Sequence, residues 1–205
     1  MRSDLTRDLI RLTEQHLWLV GISMGIAILL GVPLGILVAR HRPVSGWLLG
    51  LSSIVQTIPS LALFGFLIPI PFIGGIGTST VIVALVLYAL LPILRNTFVG
   101  IVNVDAAVCD SAVAMGMTQA QLLRQVQLPL AVPTILAGIR VATVTTIGTA
   151  TIAAAIGGGG LGVFIFRGVA SVDTAQILAG AIPAALMALL ADGGLGWLER
   201  KLSAA

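Results

Sequence analysis

Few side chains in this sequence could take part in covalent chemistry. His16 and His41 flank the first apolar run, and neither pairs with a recognisable nucleophile, so no acid–base or nucleophilic site is apparent. The single cysteine, Cys109, excludes an internal disulfide and a multi-cysteine metal site. The single lysine is Lys201, near the C-terminus, whereas a phosphate-binding loop needs a lysine within its glycine-rich motif. We therefore expect no enzymatic activity, no metal and no cofactor in this chain.

The composition is that of a membrane protein. Of 205 residues, 58% are hydrophobic and 9% are charged, whereas about a quarter of the residues are charged in soluble domains. The net charge of +3 comes from basic residues near the ends of apolar runs, and these form no continuous basic face. The sequence therefore predicts an all-α polytopic chain in contact with membrane lipid, and no nucleic-acid site.

Charge-free runs mark about five transmembrane helices. Leu17 to Ala39 is 23 residues long, which gives about 35 Å of helix against a hydrocarbon core of about 30 Å. Residues 1–16 are charged and are expected to form an interfacial segment. The next charge-free run, 43–94, must fold back at the prolines and glycines of 69–77. The predicted spans of the single transmembrane domain, 17–200, are 17–39, 47–68, 78–94, 130–156 and 174–198.

The distribution of basic residues gives an orientation. If the polar insertion at 95–127 is cytoplasmic, seven basic residues lie on the cytoplasmic side and four on the other side. We therefore expect an inner-membrane protein with its N-terminus outside and its C-terminus in the cytoplasm.

The polar insertion carries signals for two short helices. Asn103 or Asp105 can cap the first helix, and Gly116 suits a left-handed residue at its end. Thr118 and Gln121 have the spacing of a capping box for the second helix. Because a simple connection would not need two capped helices, the insertion is predicted to be a docking surface.

A motif in the insertion resembles the EAA signature of ABC-importer permeases. That signature is Glu-Ala-Ala, three residues, Gly, nine residues, Ile, one residue and Leu-Pro, and the spacing here matches throughout. The matching residues are Asp110, Ser111, Ala112, Gly116, Val126, Leu128 and Pro129. Asp110 keeps the charge of the glutamate on a shorter stem, and Ser111 keeps the small volume of alanine. Pro129 also fits the first turn of the fourth span.

The resemblance implies a type I ABC importer permease fold with cytoplasmic coupling helices in residues 103–128. Met117 and Thr118 are expected to join the motif residues in coupling this chain to a cytoplasmic ABC ATPase dimer, which would bind ATP and Mg²⁺. The other partners implied are an extracytoplasmic substrate-binding protein and a second permease copy, either identical or related.

Further segments resemble the permeases of glycine betaine, carnitine and choline importers. These segments are 56–63, 90–97, 115–118, 136–140 and 159–162. The resemblance therefore implies transport of a small compatible solute. A permease for methionine or another amino acid is the alternative within the class, because Val113, Gly158 and Val163 depart from the osmoprotectant pattern.

Polar residues beside a helix breaker mark a candidate translocation path. Gln56, Thr57 and Ser60 flank Pro59, which places polar side chains and a disrupted backbone at mid-membrane depth. Hydrogen bonding between helices is the alternative role for these side chains. Tyr88 is a further candidate for the path.

Two features of the fourth span have two interpretations each. The run Gly157-Gly158-Gly159-Gly160 is either an outer gate or a simple connector, since four glycines do not continue a helix cheaply. Arg140 marks a substrate path if it is buried in the span, or lies at the interface if the helix begins in the cytoplasm.

The tryptophans argue against a strong substrate site in this chain. Trp18, Trp47 and Trp197 lie near span ends, where an interfacial belt explains them. An aromatic cage for a quaternary ammonium group is therefore not expected, and recognition is assigned to the separate binding protein.

A secondary transporter or channel is the alternative from another class. Ion-coupled carriers place ionisable groups inside the membrane and pair repeated halves. This sequence has almost no ionisable residues inside its predicted spans and no visible pair of repeated halves. Five spans with small residues along them also favour a dimer, because one chain cannot enclose a path alone.

Overall fold

A computed structural model describes residues 2–40, 42–71, 73 and 75–203, and these residues form helices and turns without strands. The α-helices are α1 (Arg2–Arg40), α2 (Arg42–Thr57), α3 (Ser60–Leu67), α4 (Thr78–Val102), α5 (Ala106–Ala114), α6 (Gln119–Gln121), α7 (Leu128–Ala150), α8 (Gly162–Ser171) and α9 (Thr174–Ser203). A π-helical turn, Leu122–Gln127, joins α6 to α7, and a 3-10 turn, Ile152–Ile156, follows α7. His41 and Gly74, which belonged to a predicted span end and to the predicted reversal, lie outside the described residues.

Four helical stretches of the described chain are long and apolar enough to cross a membrane. They are Leu5–Arg40, Thr78–Val102, Gln119–Ala150 and Thr174–Ser203. A fifth crossing consists of α2 and α3 if the two are taken together. The predicted all-α polytopic architecture is therefore confirmed.

The second span is broken, and this differs from the single helix predicted for 47–68. The apolar parts of α2 and α3 are bent by 103° relative to each other. Pro59 lies at the bend, and its ring nitrogen has no hydrogen to donate to the carbonyl of Val55. The Ile58 N–H donates to that carbonyl instead, at 3.3 Å. The sequence therefore predicted the disrupted backbone but not the size of the bend.

The first span begins earlier than the sequence indicated. Helix α1 has no break at residue 16, where the interfacial segment was expected to end. Leu12 is 3% exposed and His16 is fully buried. The turns before the apolar run therefore pack against the bundle, and this packing keeps them in line with the span.

Helix α4 is the centre of the bundle, with α1 on one side and α7 on the other. Glycines bring these backbones close together, as is usual where lipid provides no hydrophobic driving force between helices. A Cβ atom at Gly35 of α1 would lie 2.5 Å from the Cβ of Thr97, and one at Gly138 of α7 would lie 2.5 Å from the Cβ of Asn96. The central helix is thus held by close contacts on two faces.

The bundle has two ends that are used differently. Residues 103–128 connect the C-terminus of α4 to α7, and we call their end the coupling end. Gly157–Gly160 follow α7 at the other end, which we call the glycine end. Helix α1 starts at the glycine end, and α9 starts beside α8 and runs back along α7. Arg2 and Ser203 therefore lie toward opposite ends.

Candidate functional site

The first helix of the coupling end, α5, is capped by its own sequence. Asp105 is the cap, and its carboxylate accepts a hydrogen bond from the Ala107 N–H at 2.8 Å. The helix ends at Gly116, whose φ of 85° is left-handed. There the Met117 N–H donates to the carbonyl of Ala112 at 3.2 Å. Both capping signals predicted for this helix are confirmed, and the cap is Asp105 and not Asn103.

A reciprocal pair of hydrogen bonds starts the second helix. The Thr118 N–H donates to Oε1 of Gln121 at 2.8 Å, and the Gln121 N–H donates to Oγ1 of Thr118 at 3.4 Å. This is the predicted capping box. The shape of the two helices and the glycine turn between them is therefore set almost entirely by residues that are close in the sequence.

The EAA-like residues of α5 divide between its two faces. Ala112 is 2% exposed on the face that packs against the π-helical turn. Asp110 and Ser111 are exposed, as are the apolar side chains of Val113 and Met115, which are 47% and 74% exposed. The segment therefore presents a carboxylate among apolar side chains. That combination suits a groove on another protein.

The coupling end is continuous with α7. Pro129 is the second residue of α7, as expected, but a π-helical turn precedes it in place of a loop. Within this turn the Leu128 N–H donates to the carbonyl of Leu123, five residues back. The wider turn offsets the bond that Pro129 cannot donate to Gln125. Val126 and the second capped helix, α6, are thereby part of one continuous helical stretch, Gln119–Ala150, that leads into the membrane.

The glycine run turns the backbone at the opposite end. Gly157, Gly159 and Gly160 have φ values of 75°, 78° and 76°, which favour glycine. Gly158 is packed instead, since a Cβ atom there would lie 2.5 Å from Cγ2 of Val81 on α4. The run is therefore a tight, ordered turn against the central helix.

Two residues that the sequence did not single out hold this end together. The Gly160 N–H donates to Oε1 of Gln15 at 3.4 Å. Nε2 of His16 lies 3.2 Å from the carbonyl oxygen of Ile147, and the ring is fully buried. The burial of His16 could have been predicted from its spacing. It lies four residues after Leu12 and three before Leu19, and both leucines are buried on the same face of the helix. These contacts link α1 to the end of α7.

The structure brings together part of the predicted translocation path. The amide nitrogen of Gln56 donates to the Tyr88 carbonyl at 3.3 Å, and the Tyr88 hydroxyl donates to the carbonyl of Ile58 at the bend. The Thr57 hydroxyl bonds within α2, to Ile54 at 2.7 Å. Pro59 is exposed and Ser60 is half-buried.

The bend and the glycine run stand at different levels of α4. Val81 contacts Gly158, whereas Tyr88 contacts the bend. Val81 and Tyr88 are seven positions apart, which corresponds to about 10 Å along the helix. The two groups of path candidates therefore do not form one site in this chain.

Arg140 has a role that neither interpretation of the sequence included. Its Nε and Nη2 atoms donate to the two carboxylate oxygens of Asp192 at 2.6 and 2.8 Å, and Nη1 donates to Glu199 at 3.4 Å. The guanidinium also packs on Gly196, where a Cβ atom would lie 3.0 Å from it. The charge in α7 is thus neutralised by α9. In the sequence, the position of Asp192 at the end of an apolar run was the feature that could have indicated an acidic partner for Arg140.

Several membrane-crossing helices with a capped helix pair at one end define a polytopic membrane protein. Residues 31–204 match the family described as binding-protein-dependent transport system inner membrane component. The chain belongs to that family. It is therefore an inner-membrane component of a transporter that works with a binding protein.

The sequence is similar to permeases of known systems. It is 52% identical over 178 residues to the glycine betaine/carnitine/choline transport system permease protein OpuCD of Bacillus subtilis, covering 86% of this chain and 76% of that protein. It is 44% identical over 193 residues to the osmoprotectant import permease protein OsmW of Salmonella typhimurium, covering 93% and 88%.

A solved structure supports the fold. An inward-facing form of the MetNI methionine ABC transporter matches with a TM-score of 0.88, covering 98% of this chain and 99% of that chain at 22% identity. The predicted type I importer permease fold is thereby confirmed. At this identity the likeness concerns the fold alone.

Proposed function

We propose that this chain is the permease subunit of an ATP-driven importer for a small compatible solute such as glycine betaine, choline or carnitine. The observation that carries this proposal is the coupling end, where the second helix of an exposed, self-capped pair continues without a loop into α7. A force applied to such a segment reaches the membrane span directly. The chain itself catalyses no reaction in this proposal.

The proposed energy source is a cytoplasmic ABC ATPase dimer that binds ATP and Mg²⁺. Its groove would receive the exposed carboxylate of Asp110 and the apolar side chains of Val113 and Met115, in the manner of a helix docked in a groove. Gly116 and the capping box of Thr118 would fix the shape of the docked segment. In this arrangement the coupling end and the C-terminus are cytoplasmic, and the N-terminus faces outward.

The proposed path needs a second permease copy, identical or related. Helix α9 supports this, because its described buried residues are small and few, while leucines and isoleucines cover its exposed face. The Gln56–Tyr88 cluster at the bend would line the path, and Gly157–Gly160 would form its outer gate. An extracytoplasmic binding protein would deliver the substrate at the glycine end.

The names of the relatives support the substrate class. Relatives at 52% and 44% identity are named for glycine betaine, carnitine, choline and osmoprotectants. The methionine transporter shares the fold at 22% identity, which carries no weight for the substrate. A secondary transporter would need ionisable groups free to exchange a coupling ion. Arg140 of α7 and Asp192 of α9 bind each other and are not free in this sense.

Uptake by the reconstituted complex tests the proposal. The chain is co-expressed with its neighbouring ATPase and binding-protein genes and placed in proteoliposomes that contain ATP and Mg²⁺. We expect uptake of labelled glycine betaine, carnitine or choline, and none without ATP. Uptake of methionine alone would overturn the substrate class, and uptake driven by an ion gradient without ATP would overturn the importer.

A variant pair tests the docking surface. Met115→Glu places a charge on a side chain that is 74% exposed, so it should leave the permease folded but remove the ATPase during co-purification. Met115→Leu keeps the apolar surface and serves as the control. Equal recovery of the ATPase with both variants would exclude Met115 from the interface.

A further inference from the structure

A cavity of about 420 Å³ opens at the glycine end between α1, the start of α4 and the glycine run. Its polar and aromatic lining comes from Arg11, Glu14, Gln15 and Trp18 of α1, with Thr78 of α4. Gly157–Gly159 form the opposing wall. The volume lies within the range of about 300 to 1,000 Å³ that is usual for small-molecule sites.

The three α1 side chains form one stripe. Arg11, Glu14 and Trp18 stand at positions i, i+3 and i+7 of an unbroken helix, so neighbouring members have Cβ atoms about 5 to 6 Å apart. Arg11 and Glu14 precede the charge-free run that begins at Leu17. The stripe thus places a cation, an anion and an indole ring at the boundary between water and lipid.

This order of groups is complementary to a zwitterion with a quaternary ammonium group at one end and a carboxylate at the other. A guanidinium binds a carboxylate through charge-assisted hydrogen bonds. A quaternary ammonium group is attracted to an indole face and to a carboxylate. Arg11 already contacts Asp8 at 3.1 Å, but both side chains are exposed, at 61% and 45%. Such a pair is weak and leaves the guanidinium able to bind a ligand.

We propose that this cavity is a reception site for the transported solute, in which Arg11 binds its carboxylate and Glu14 with Trp18 binds its quaternary ammonium group. This rests on the proposed function. With one aromatic ring the site is not a cage, and its role is transfer from the binding protein to the path. The glycine run approaches α1 closely here, since a Cβ atom at Gly159 would lie 2.7 Å from Oε1 of Gln15.

Two of the proposed substrates distinguish the role of Arg11 from that of Glu14. Glycine betaine carries both groups, whereas choline carries the ammonium group and no carboxylate. Arg11 should therefore matter for glycine betaine alone, and Glu14 should matter for both. A purely structural role of Arg11 would affect the two solutes equally.

The test uses the complete complex in proteoliposomes, with the binding protein and each solute saturating, and compares maximal uptake rates of labelled glycine betaine and choline. Arg11→Gln should lower the ratio of the glycine betaine rate to the choline rate about tenfold, the loss expected for one charge-assisted hydrogen bond. Arg11→Lys should restore much of that ratio. Glu14→Gln and Trp18→Leu should lower both rates about two- to fivefold.

Arg7→Gln is the matched control, because Arg7 is exposed one turn earlier on α1 and does not line the cavity. The ratio of the glycine betaine rate to the choline rate should be the same in Arg7→Gln as in the wild type. An Arg11→Gln ratio that is unchanged or raised, or an equal fall with Arg7→Gln, overturns the reception site while wild-type uptake leaves the proposed function intact. If the wild-type complex transports neither solute, the proposed function itself fails.

Discussion

The two ends of the bundle are built in different ways. At the coupling end, the hydrogen bonds that cap and turn the chain join residues two to five positions apart, as in Asp105 with Ala107 and Met117 with Ala112. At the glycine end, Gln15 and His16 bond to residues 145 and 131 positions away. The first end is shaped by local sequence, and the second by the packing of helices.

This difference matches what each end is proposed to do. A segment that docks into a partner must keep its shape while it is exposed, and local capping provides this. A gate must respond when helices shift, and contacts between α1, α4 and α7 tie the glycine run to those helices. The same kind of substitution should therefore have different effects at the two ends.

The largest effect is expected from Gly162→Ala at the glycine end. A Cβ atom there would lie 1.8 Å from the backbone carbonyl oxygen of Thr151, so α8 must move away from the end of α7. We expect a loss of stability of about 3 kcal/mol or more, seen as a lower unfolding midpoint in detergent. Gly148→Ala, which meets nothing within 4 Å, should unfold close to the wild type. Equal midpoints for the two variants would contradict the tight packing of this end.

The second-largest effect is expected from Arg140. Its contacts with α9 join residues that are distant in the sequence, and they lie closer to the coupling end than those of Gln15 and His16. Arg140→Gln leaves the carboxylate of Asp192 without its bidentate partner between two apolar helices. We expect a lower unfolding midpoint than for the wild type. The double variant with Asp192→Asn removes both charges and should recover part of the loss. A double variant less stable than Arg140→Gln would show that the pairing is not what stabilises α7 against α9.

The contrast between the ends also explains how far sequence alone could go. Caps, the glycine turn and the apolar runs follow from nearest neighbours and from hydropathy, so Gly116 and the capping box of Thr118 and Gln121 were predictable, and Asp105 was one of two candidate caps. The bend at Pro59 was predictable in place but not in angle, because the angle depends on what α3 packs against. The contacts of His16 and Arg140 depend on which helices become neighbours, and one sequence does not contain that information.

Gly116→Ala tests backbone strain at the coupling end, at a position where an added side chain would meet no other atoms. Nothing lies within 4 Å of the Cβ position, but the φ of 85° disfavours any residue with a Cβ. We expect a loss of about 1 to 2 kcal/mol confined to the helix pair, with weaker retention of the ATPase during purification. Gly116→Asn should lose less, since asparagine tolerates this conformation. A global destabilisation as large as that of Gly162→Ala would mean that the coupling end is not locally determined.

The smallest effect is expected from Thr118→Ala, which removes one half of the capping box. The Gln121 N–H loses its acceptor, which costs about 1 kcal/mol at a helix N-terminus. Because the box is local, faster hydrogen exchange should appear at the amides of 119–121 and leave the midpoint of unfolding nearly unchanged. Ser111→Ala is the control, because the Ser111 hydroxyl donates to the Ala107 carbonyl within α5 and caps nothing. Faster exchange that spreads into α7 would instead show that the cap stabilises the continuous helix, and that the π-helical turn transmits local changes into the membrane.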